Sequence, residues 1–466
     1  MSIMLDILVE NNRYLSCLNL ANLSHINITG VTSKSHEVGP GFLFVAKKGA
    51  TPESRDGHDF IEDALERGAV ALIIDNNYKL KKIHSIPVFR TSKSACALAE
   101  LCEAFWGYPS KSLSIIGITG TNGKTSTSFM LHSIFKTAGF RPVILGTLGM
   151  GHPGELSRVS HTTPEPEFLS KSLAYFRDQN YTHVILEASS HGIILERLRG
   201  LSFSAVGLTT IGQDHLDFHG SMSEYIRAKQ MLFDELAHEQ TYKIIPCNHN
   251  FKFTYNLANL ELYDPNIKPA GLELPGDFQI NNAALAHAIA HKFAISAEHI
   301  SLGLKRCLPV PGRLEQIKHT SLRAQIFIDF AHTPDALEAL LRTARKLSAG
   351  RIILVFGCGG ERDQNKRTRM AHIAQELADI LIITDDNPRR EDPDSIRQDI
   401  ISGLCVTTNF YNIGQRREAI KTAVLISNKQ DIIIIAGKGH ENYQIYGNKY
   451  HDFCDRSVVE EILRDL

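Results

Sequence analysis

The sequence predicts an α/β protein of three domains, on three observations. A glycine-rich loop, Gly117-Ile-Thr-Gly-Thr-Asn-Gly-Lys-Thr125, lies between a short apolar run and a segment with apolar residues at helical spacing. From Ile326 onward, apolar runs of strand length alternate with helix-patterned segments. At 466 residues the chain has room for about three domains of ordinary size. The expected division is a small N-terminal α/β domain (1–88), a central domain (89–309) with a mostly parallel sheet, and a C-terminal doubly wound domain (310–466).

The N-terminal segment reads as strand Phe42 to Val45, a helix from Gly57-His58-Asp59-Phe60 through Arg67, and a buried strand Ala69 to Ile74. It offers no nucleophile and no metal-ligand spacing, which makes it a binding or packing unit. The polar stretch Asn76 to His84 and the turn at Pro87 set the first boundary.

The central domain opens on the loop. Leu113 to Ile118 forms the strand, and Phe129, Leu131, Ile134 and Phe135 line one face of a helix that Gly139 stops. A glycine-rich turn at a helix N-terminus cradles phosphate, because backbone N–H groups can approach it and the helix dipole favours negative charge. Lys124 would reach the β/γ-phosphates, and Thr125 would offer its hydroxyl to Mg²⁺. The glycines at 117, 120 and 123 make a loop of the phosphate-binding ATPase type one residue longer than the strict pattern. Further on, Thr182 to Leu186 is a parallel-type strand that delivers Glu187 at its C-terminal end, suited to hold Mg²⁺ directly or through water. Strand Ala205 to Thr209 leads into Gln213-Asp-His-Leu-Asp-Phe-His-Gly220, whose crowded His and Asp residues look like a metal site without matching a zinc template, and then into a helix with Ala228-Lys229.

Pro309-Val-Pro-Gly-Arg313 marks the second hinge. Beyond it come Ile326 to Asp329, Ala336 to Leu347, Arg351 to Phe356, Arg367 to Leu377, Ile380 to Thr384, Ser395 to Leu404, Arg416 to Leu425 and Asp431 to Ala436 in strict alternation, the pattern of a Rossmann-like sheet. Four strand ends carry polar loops: Asp329-Phe-Ala-His332, Gly357-Cys-Gly-Gly-Glu-Arg-Asp363, Asp386-Asn-Pro-Arg389 and Gly437-Lys-Gly-His-Glu441. Together they make a binding face.

With 50 Lys+Arg against 51 Asp+Glu, no global field points to nucleic acid or an acidic membrane. Eight scattered cysteines without a C-x-x-C pair fit reduced thiols, and the beginning of the chain has no basic leader pattern, so a cytoplasmic protein without membrane insertion is expected. No internal repeat stands out.

The loop, Thr162-Thr-Pro164, Glu187-Ala-Ser-Ser-His-Gly192, Asp214-His-Leu-Asp-Phe-His-Gly220, Ala228-Lys229, Val310-Pro-Gly-Arg313 and Asp329-Phe-Ala-His-Thr-Pro-Asp335 together closely resemble the Mur ligases of peptidoglycan precursor synthesis, in the right order from about Gly30 to Leu463. Asp386-Asn-Pro-Arg389 resembles the signature of those members that add meso-2,6-diaminopimelate to UDP-N-acetylmuramoyl-L-alanyl-D-glutamate. The resemblance implies an acid–amino-acid ligase that forms an acyl phosphate from ATP and then an amide, acting as a monomer. It further implies nucleotide contacts at Gly120, Thr121, Asn122, Gly123, Lys124, Thr125, Ser126, Asn282, Arg313, Asp329 and His332. One Mg²⁺ would fall to Thr125 and Glu187, a second to His215 and Lys229, with Lys229 carbamylated to N6-carboxylysine; Lys124, His215 and Lys229 would be the catalytic set. Ser35, Thr162, Thr163, Ser189 and Arg197 correspond to contacts with the UDP-linked precursor, and Arg362, Asp386, Asn387, Pro388, Arg389, Gly437 and Glu441 to contacts with diaminopimelate.

The chain departs from the family pattern at Ser33-Lys-Ser-His36, at Leu195 and Thr210, and in a shortened stretch between Lys243 and Phe278. Two other readings share the ATP core: a folylpolyglutamate-synthase-like ligase, which leaves Asp386-Asn-Pro-Arg389 without a purpose, and a non-catalytic relative that binds nucleotide.

Overall fold

The structure, a computed structural model, describes residues 2–15, 23–49, 54–80, 85–249, 251, 258–318 and 324–465. Its main framework is three sheets that follow one another along the chain. The first has four parallel strands in sequence order, Gly30–Thr32, Phe42–Val45, Ala69–Asp75 and Val88–Thr91. Leu43, Phe44, Val45, Leu72, Ile73 and Ile74 are all buried, as in a sheet covered on both faces. Helix Ile61–Glu66 covers one face through Ile61 and Ala64, and helix Ser94–Phe105 covers the other through Leu98, Leu101 and Phe105. This packing unit therefore continues past the boundary expected at residue 88. The turn signals before Pro87 precede one more strand of the same sheet, and the helix that seals the sheet comes after it. Residues 81–84 of the expected linker, and Cys17, lie outside the described residues; the other seven cysteines are free.

The second sheet has eight strands, ordered Glu155–Ser157, Gly149–His152, Pro142–Gly146, His183–Glu187, Ser114–Thr119, Phe203–Leu208, Tyr242–Pro246 and Leu260–Tyr263. All pairings are parallel from Pro142–Gly146 onward, and an antiparallel hairpin extends the near edge. Ser114–Thr119, which feeds the glycine-rich loop, is central, so its C-terminal end opens between Glu187 and Thr209. Helix Lys124–Thr137 then packs against helices Asp277–Lys292 and Ala297–Lys305 through Phe129, Met130, Ile134, Leu285 and Ile289. The short stretch between Lys243 and Phe278 still supplies the far edge strand. Its Tyr263 hydroxyl reaches back to Leu208 O at 3.1 Å and Asn281 Oδ1 at 2.8 Å.

The third sheet runs Glu315–Ile317, Gln325–Asp329, Ile432–Ala436, Ile352–Phe356, Ile380–Ile383 and Phe410–Asn412, parallel except for the first strand. Its elements start and stop within a few residues of the positions read from sequence. Helices Pro334–Leu347, Asn365–Leu377 and Pro393–Ile401 cover one face, Arg416–Ile426 and Asp455–Arg464 the other. The chain order reverses at Ile432–Ala436, which lies between the strands ending at Asp329 and Phe356. Such a switch point opens a crevice at the carboxyl ends of the strands. Four features of this unit escape the sequence reading: the edge strands Glu315–Ile317 and Phe410–Asn412, the hairpin Tyr443–Tyr446/Lys449–Asp452 and the last helix.

One ion pair ties this unit together. Arg416 Nε and Nη2 donate to the Asp455 carboxylate at 2.7 and 2.8 Å, both side chains are fully buried, and Nη2 also donates to Ala436 O at 2.9 Å. The bond joins the two helices of one face to the strand end just before Gly437. Arg416→Ala leaves Asp455 buried and unpaired, and should lower stability by about 3–5 kcal/mol in chemical denaturation followed by circular dichroism. A loss below about 1 kcal/mol would show that the pair is not what holds these helices.

Candidate active site

Two glycines allow the phosphate loop to take its path. Gly120 has φ +145°, and a Cβ there would lie 1.8 Å from Thr209 Oγ1; Gly123 has φ +90°, and a Cβ there would lie 2.1 Å from Asn282 Oδ1. The loop is thus threaded between the neighbouring strand end and helix Asp277–Lys292. It is pinned by Thr121 N to Thr210 O at 2.7 Å and Thr209 Oγ1 to Asn122 O at 2.6 Å. Thr121 Oγ1 lies 3.0 Å from the Tyr225 hydroxyl and accepts from Gly212 N at 3.0 Å. Lys124, the first residue of the helix, turns back to donate to Gly120 O at 2.8 Å and Thr121 O at 2.9 Å.

Glu187 is fully buried at the end of the adjacent strand. Its carboxylate accepts from Thr125 Oγ1 at 3.1 Å, Thr147 Oγ1 at 2.8 Å and Thr147 N at 3.2 Å. A Cβ at Gly146 would strike that carboxylate at 2.2 Å, so the glycine makes its space. Thr147 also lies 3.1 Å from Thr162 Oγ1, linking the acid to the next loop. Behind this loop, Thr163 Oγ1 donates to Glu187 O at 2.8 Å, while Arg197 donates to Thr163 O at 2.8 Å and pairs with Glu165 at 2.6 Å. Thr162 and Ser189 line the cleft; Thr163 and Arg197 are buried behind them. Ser35 sits apart in the first unit, where its side chain bonds Asp63.

Lys229, on helix Met222–Met231, is almost wholly buried. Its Nζ donates to Gly120 O at 2.9 Å and lies 4.3 Å from the Tyr225 ring centroid. Burial, with Lys124 close by, pushes its pKa well below the usual lysine range. His215 takes a left-handed conformation, φ +52°, that directs its ring to Asp214, with Nε2 3.4 Å from Oδ2. Burial acts to raise the Asp214 pKa, but His332, His215 and Lys366 outweigh it and hold the carboxyl down to about 2; burial lowers His215 to about 3.

The metal-like cluster read from Gln213 to Gly220 does not converge. The turn Leu216–His219 sends His219 to Ser190 Oγ at 3.0 Å and Asp217 to Arg362 at 3.3 Å. Among the described residues no three His, Cys, Asp or Glu side chains gather as a ligand set.

The third sheet supplies the opposite wall. Asp329 accepts from Leu314 N at 2.6 Å and Ala331 N at 2.7 Å, and burial raises its pKa. Arg313 stacks on Phe330 at 4.5 Å, and His332 is held by Phe330 O at 2.8 Å. Arg389 is also left-handed, φ +55°. Its N–H donates to Ile445 O at 3.0 Å, tying it to the hairpin, and its guanidinium donates to Gly360 O at 2.7 Å. Asn387 Nδ2 donates to Glu441 Oε2 at 2.8 Å. Asp386 lies beside Gly437, where a Cβ would approach its Oδ2 to 2.7 Å. Pro388 contributes a carbonyl that packs on Gly360 and does not line the cleft.

Between the walls lies a cleft of about 500 Å³. Lys124, Thr125, Glu187 and Asp214 line one side, and Asp329, His332, Arg362, Asp386, Arg389 and Glu441 the other. Thr147 and Lys366 of this neighbourhood go unread in the sequence, and Gln213 and Lys438 are read only as members of their loops, without a role of their own. Thr147, Gln213 and Lys366 have partners distant in sequence, and Lys438 bonds both the distant Asn387 and the nearby Glu441. Only the Gly-Lys-Gly spacing around Lys438 could have flagged one of them.

Comparison with known proteins agrees along the whole chain. Residues 27–106 match the Mur ligase family catalytic domain, 118–264 the Mur ligase middle domain, and 312–439 the Mur ligase glutamate ligase domain. UDP-N-acetylmuramoyl-L-alanyl-D-glutamate--2,6-diaminopimelate ligase 1 of Clostridium acetobutylicum is 36% identical over 472 residues, covering 95% of this chain and 96% of its own. A solved structure of a UDP-N-acetylmuramoyl-L-alanyl-D-glutamate--2,6-diaminopimelate ligase superposes with a TM-score of 0.65 at 28% identity, covering 100% of this chain and 99% of its own. A Mycobacterium tuberculosis folylpolyglutamate synthase complexed with ADP and AMPPCP shares the fold over 72% of this chain and 91% of its own, at a TM-score of 0.59 and 18% identity. The chain belongs to the Mur ligase family.

Proposed function

We propose that this protein is the ATP-dependent ligase that joins meso-2,6-diaminopimelate to UDP-N-acetylmuramoyl-L-alanyl-D-glutamate, releasing ADP and phosphate. The observation that carries the reading is the cleft itself. A phosphate loop with Lys124 faces, across about 500 Å³, a wall with Arg389, Asp386 and Glu441, groups that match the carboxylate and ammonium of a second amino acid centre.

The glutamyl carboxylate of the precursor attacks the γ-phosphate of ATP, and ADP leaves. The amine of diaminopimelate then attacks the acyl phosphate, forming the amide and expelling phosphate. For the first step the chain provides position and charge. Loop residues Gly120 to Ser126 cradle the phosphates, with the Lys124 ammonium against the β/γ oxygens. Asn282, Arg313, Asp329 and His332 enclose the rest of the nucleotide. Thr162 and Ser189, backed by the buried Thr163 and Arg197 and with Ser35 at the far end, orient the precursor.

Mg²⁺ fits here on the chemistry of Glu187. Among the described residues its buried carboxylate is hydrogen-bonded only to hydroxyls and one backbone N–H, and a hard cation takes such oxygen donors. Thr125 and Glu187 would hold one ion and His215 with Lys229 another, and bound Mg²⁺ would neutralise phosphate charge. For the second ion the Lys229 amine presents hydrogens where oxygen is needed. Carbamylation resolves this: the neutral amine adds to CO₂ and loses a proton, giving an anionic carboxylate in the same place. Burial, with Lys124 close by, lowers the Lys229 pKa and so favours the neutral amine that this step uses.

Arg389 can grip the distal carboxylate of diaminopimelate in bidentate fashion, with Arg362 beside it. Asp386, Glu441 and Gly437 O suit the distal ammonium. Asn387 and Pro388 shape that wall. With lysine as substrate the guanidinium would be left without its carboxylate. Catalysis by a cytoplasmic monomer is part of this reading, and no helix among the described residues is long and apolar enough to cross a membrane.

Phosphate release from ATP with Mg²⁺ and the UDP-linked dipeptide should be at least about a hundredfold faster with meso-diaminopimelate than with L-lysine. Release with folate substrates instead, or with no amino acid tried despite nucleotide binding, would overturn the assignment. Lys229→Ala should abolish turnover, about a thousandfold or more, while nucleotide still binds and the melting temperature holds; surviving activity would remove the carbamate from the mechanism. Arg389→Ala should raise KM for diaminopimelate by about a hundredfold and leave KM for ATP within about twofold, and an equal effect on both would move Arg389 out of the amino-acid pocket.

A further inference from the structure

Lys438 lies directly behind the wall formed by Asp386, Asn387 and Glu441, and its side chain is wholly buried. The turn drives it inward: Gly437 and Gly439 have φ of +109° and +52°, and a Cβ at Gly439 would come within 2.8 Å of Phe330 Cβ. Its ammonium has three donors and the structure gives each a direction. One goes to Asn387 Oδ1 at 3.1 Å and one to Glu441 Oε2 at 2.8 Å; the Tyr443 ring, with its centroid 5.5 Å away, faces the third.

These contacts fix two neighbours. Asn387 Oδ1 also accepts from Ile445 N at 3.1 Å, so the amide oxygen is held by two donors and the amide cannot flip. Its NH₂ must therefore face Glu441, where it donates to the same Oε2. Glu441 Oε2 is saturated by two donors, while among the described residues no hydrogen bond reaches Oε1. Asn387 and Glu441 line the cleft, and Lys438 does not.

We propose that Lys438 is a positioning residue that selects for the distal ammonium of the amino-acid substrate. It holds Glu441 so that Oε1 alone is offered to that ammonium. It also holds Asn387 so that the amide cannot turn donor against donor toward the cleft, and its charge offsets one of the two carboxylates at the wall. The proposal rests on the diaminopimelate reading above.

The test compares meso-diaminopimelate with 2-aminopimelate, which keeps the distal carboxylate and lacks the distal amine, in wild type and Lys438→Met. In the variant KM for diaminopimelate should rise on the order of tenfold with kcat within about twofold, because a hydrogen-bonded charge has lost its alignment. kcat/KM for 2-aminopimelate and KM for ATP should stay within about twofold of wild type, so that preference for the diamino acid falls about tenfold. Parallel losses for both amino acids, or an unchanged preference, would overturn the role and leave Lys438 as packing. Lys438→Gln, which keeps a donor without the charge, gives the same two outcomes should the Met variant not fold. Wild-type protein that uses neither amino acid would overturn the functional reading on which the role depends. Wild-type preference that the variants preserve would overturn the role alone.

Discussion

Two lysine nitrogens share one acceptor in this protein, and the catalytic half is arranged around that fact. Gly120 O accepts from Lys124 Nζ at 2.8 Å and from Lys229 Nζ at 2.9 Å. The carbonyl can be there only because Gly120 has no side chain to meet Thr209 and adopts a φ that other residues avoid. Two ammonium groups so close in a desolvated place repel each other, and burial lowers the pKa of both, for Lys229 well below the usual lysine range. The arrangement is stable toward anions on both sides. On the proposed reading, phosphate oxygens would meet Lys124, and a carbamate on Lys229 would replace the repulsion between the two nitrogens with attraction.

The cleft joins two sheets at equivalent places. In each, parallel strands end in loops that carry the chemistry, so the central and C-terminal units meet functional edge to functional edge. The bonds between them around the cleft are polar: Gln213 to Asp363 at 3.1 Å, Gln213 to Arg369, and Arg362 to Asp217 at 3.3 Å. Each is partly exposed, and such bonds contribute about 1 kcal/mol or less apiece. Asp214 and His332, 3.8 Å apart, also meet across this boundary. Arg362 shows what this permits: its guanidinium pairs with Asp217 across the cleft and still has donors to give a substrate carboxylate.

Local chemistry was legible in the sequence; long-range geometry was not. The strand, loop and helix from Ser114 to Thr137 follow from hydrophobic period and glycine placement, and so do the alternating elements from Gln325 to Ala436. Glu187 could be placed at a strand end because the apolar run Val184 to Leu186 leads directly into it. The boundary at residue 88 failed because turn residues mark the end of a local element and say nothing about which sheet the next strand joins. The Asp214 to Gly220 cluster misled for a related reason, since one short helical turn points neighbouring His and Asp side chains in different directions. Hairpin Tyr443–Asp452 was invisible because its strands are short and carry no alternating apolar face.

On the proposed reading, that hairpin explains how the wall at Arg389 would be selective. Left-handed backbone at a residue such as Arg389 costs about 1 kcal/mol or more, and it persists only where neighbours impose it. Here they do so from both sides: Arg389 N donates to Ile445 O at 3.0 Å, and Arg389 O accepts from Gly447 N at 2.6 Å. The same hairpin contributes Ile445 N to the Asn387 amide, and Gln444 donates to Asp386 O at 3.0 Å. One exposed element thus fixes the guanidinium, the amide and the loop that bears the carboxylate. A binding wall whose groups cannot rearrange to suit a smaller ligand discriminates by leaving them unpaired, and the strain at Arg389 is the cost of that rigidity.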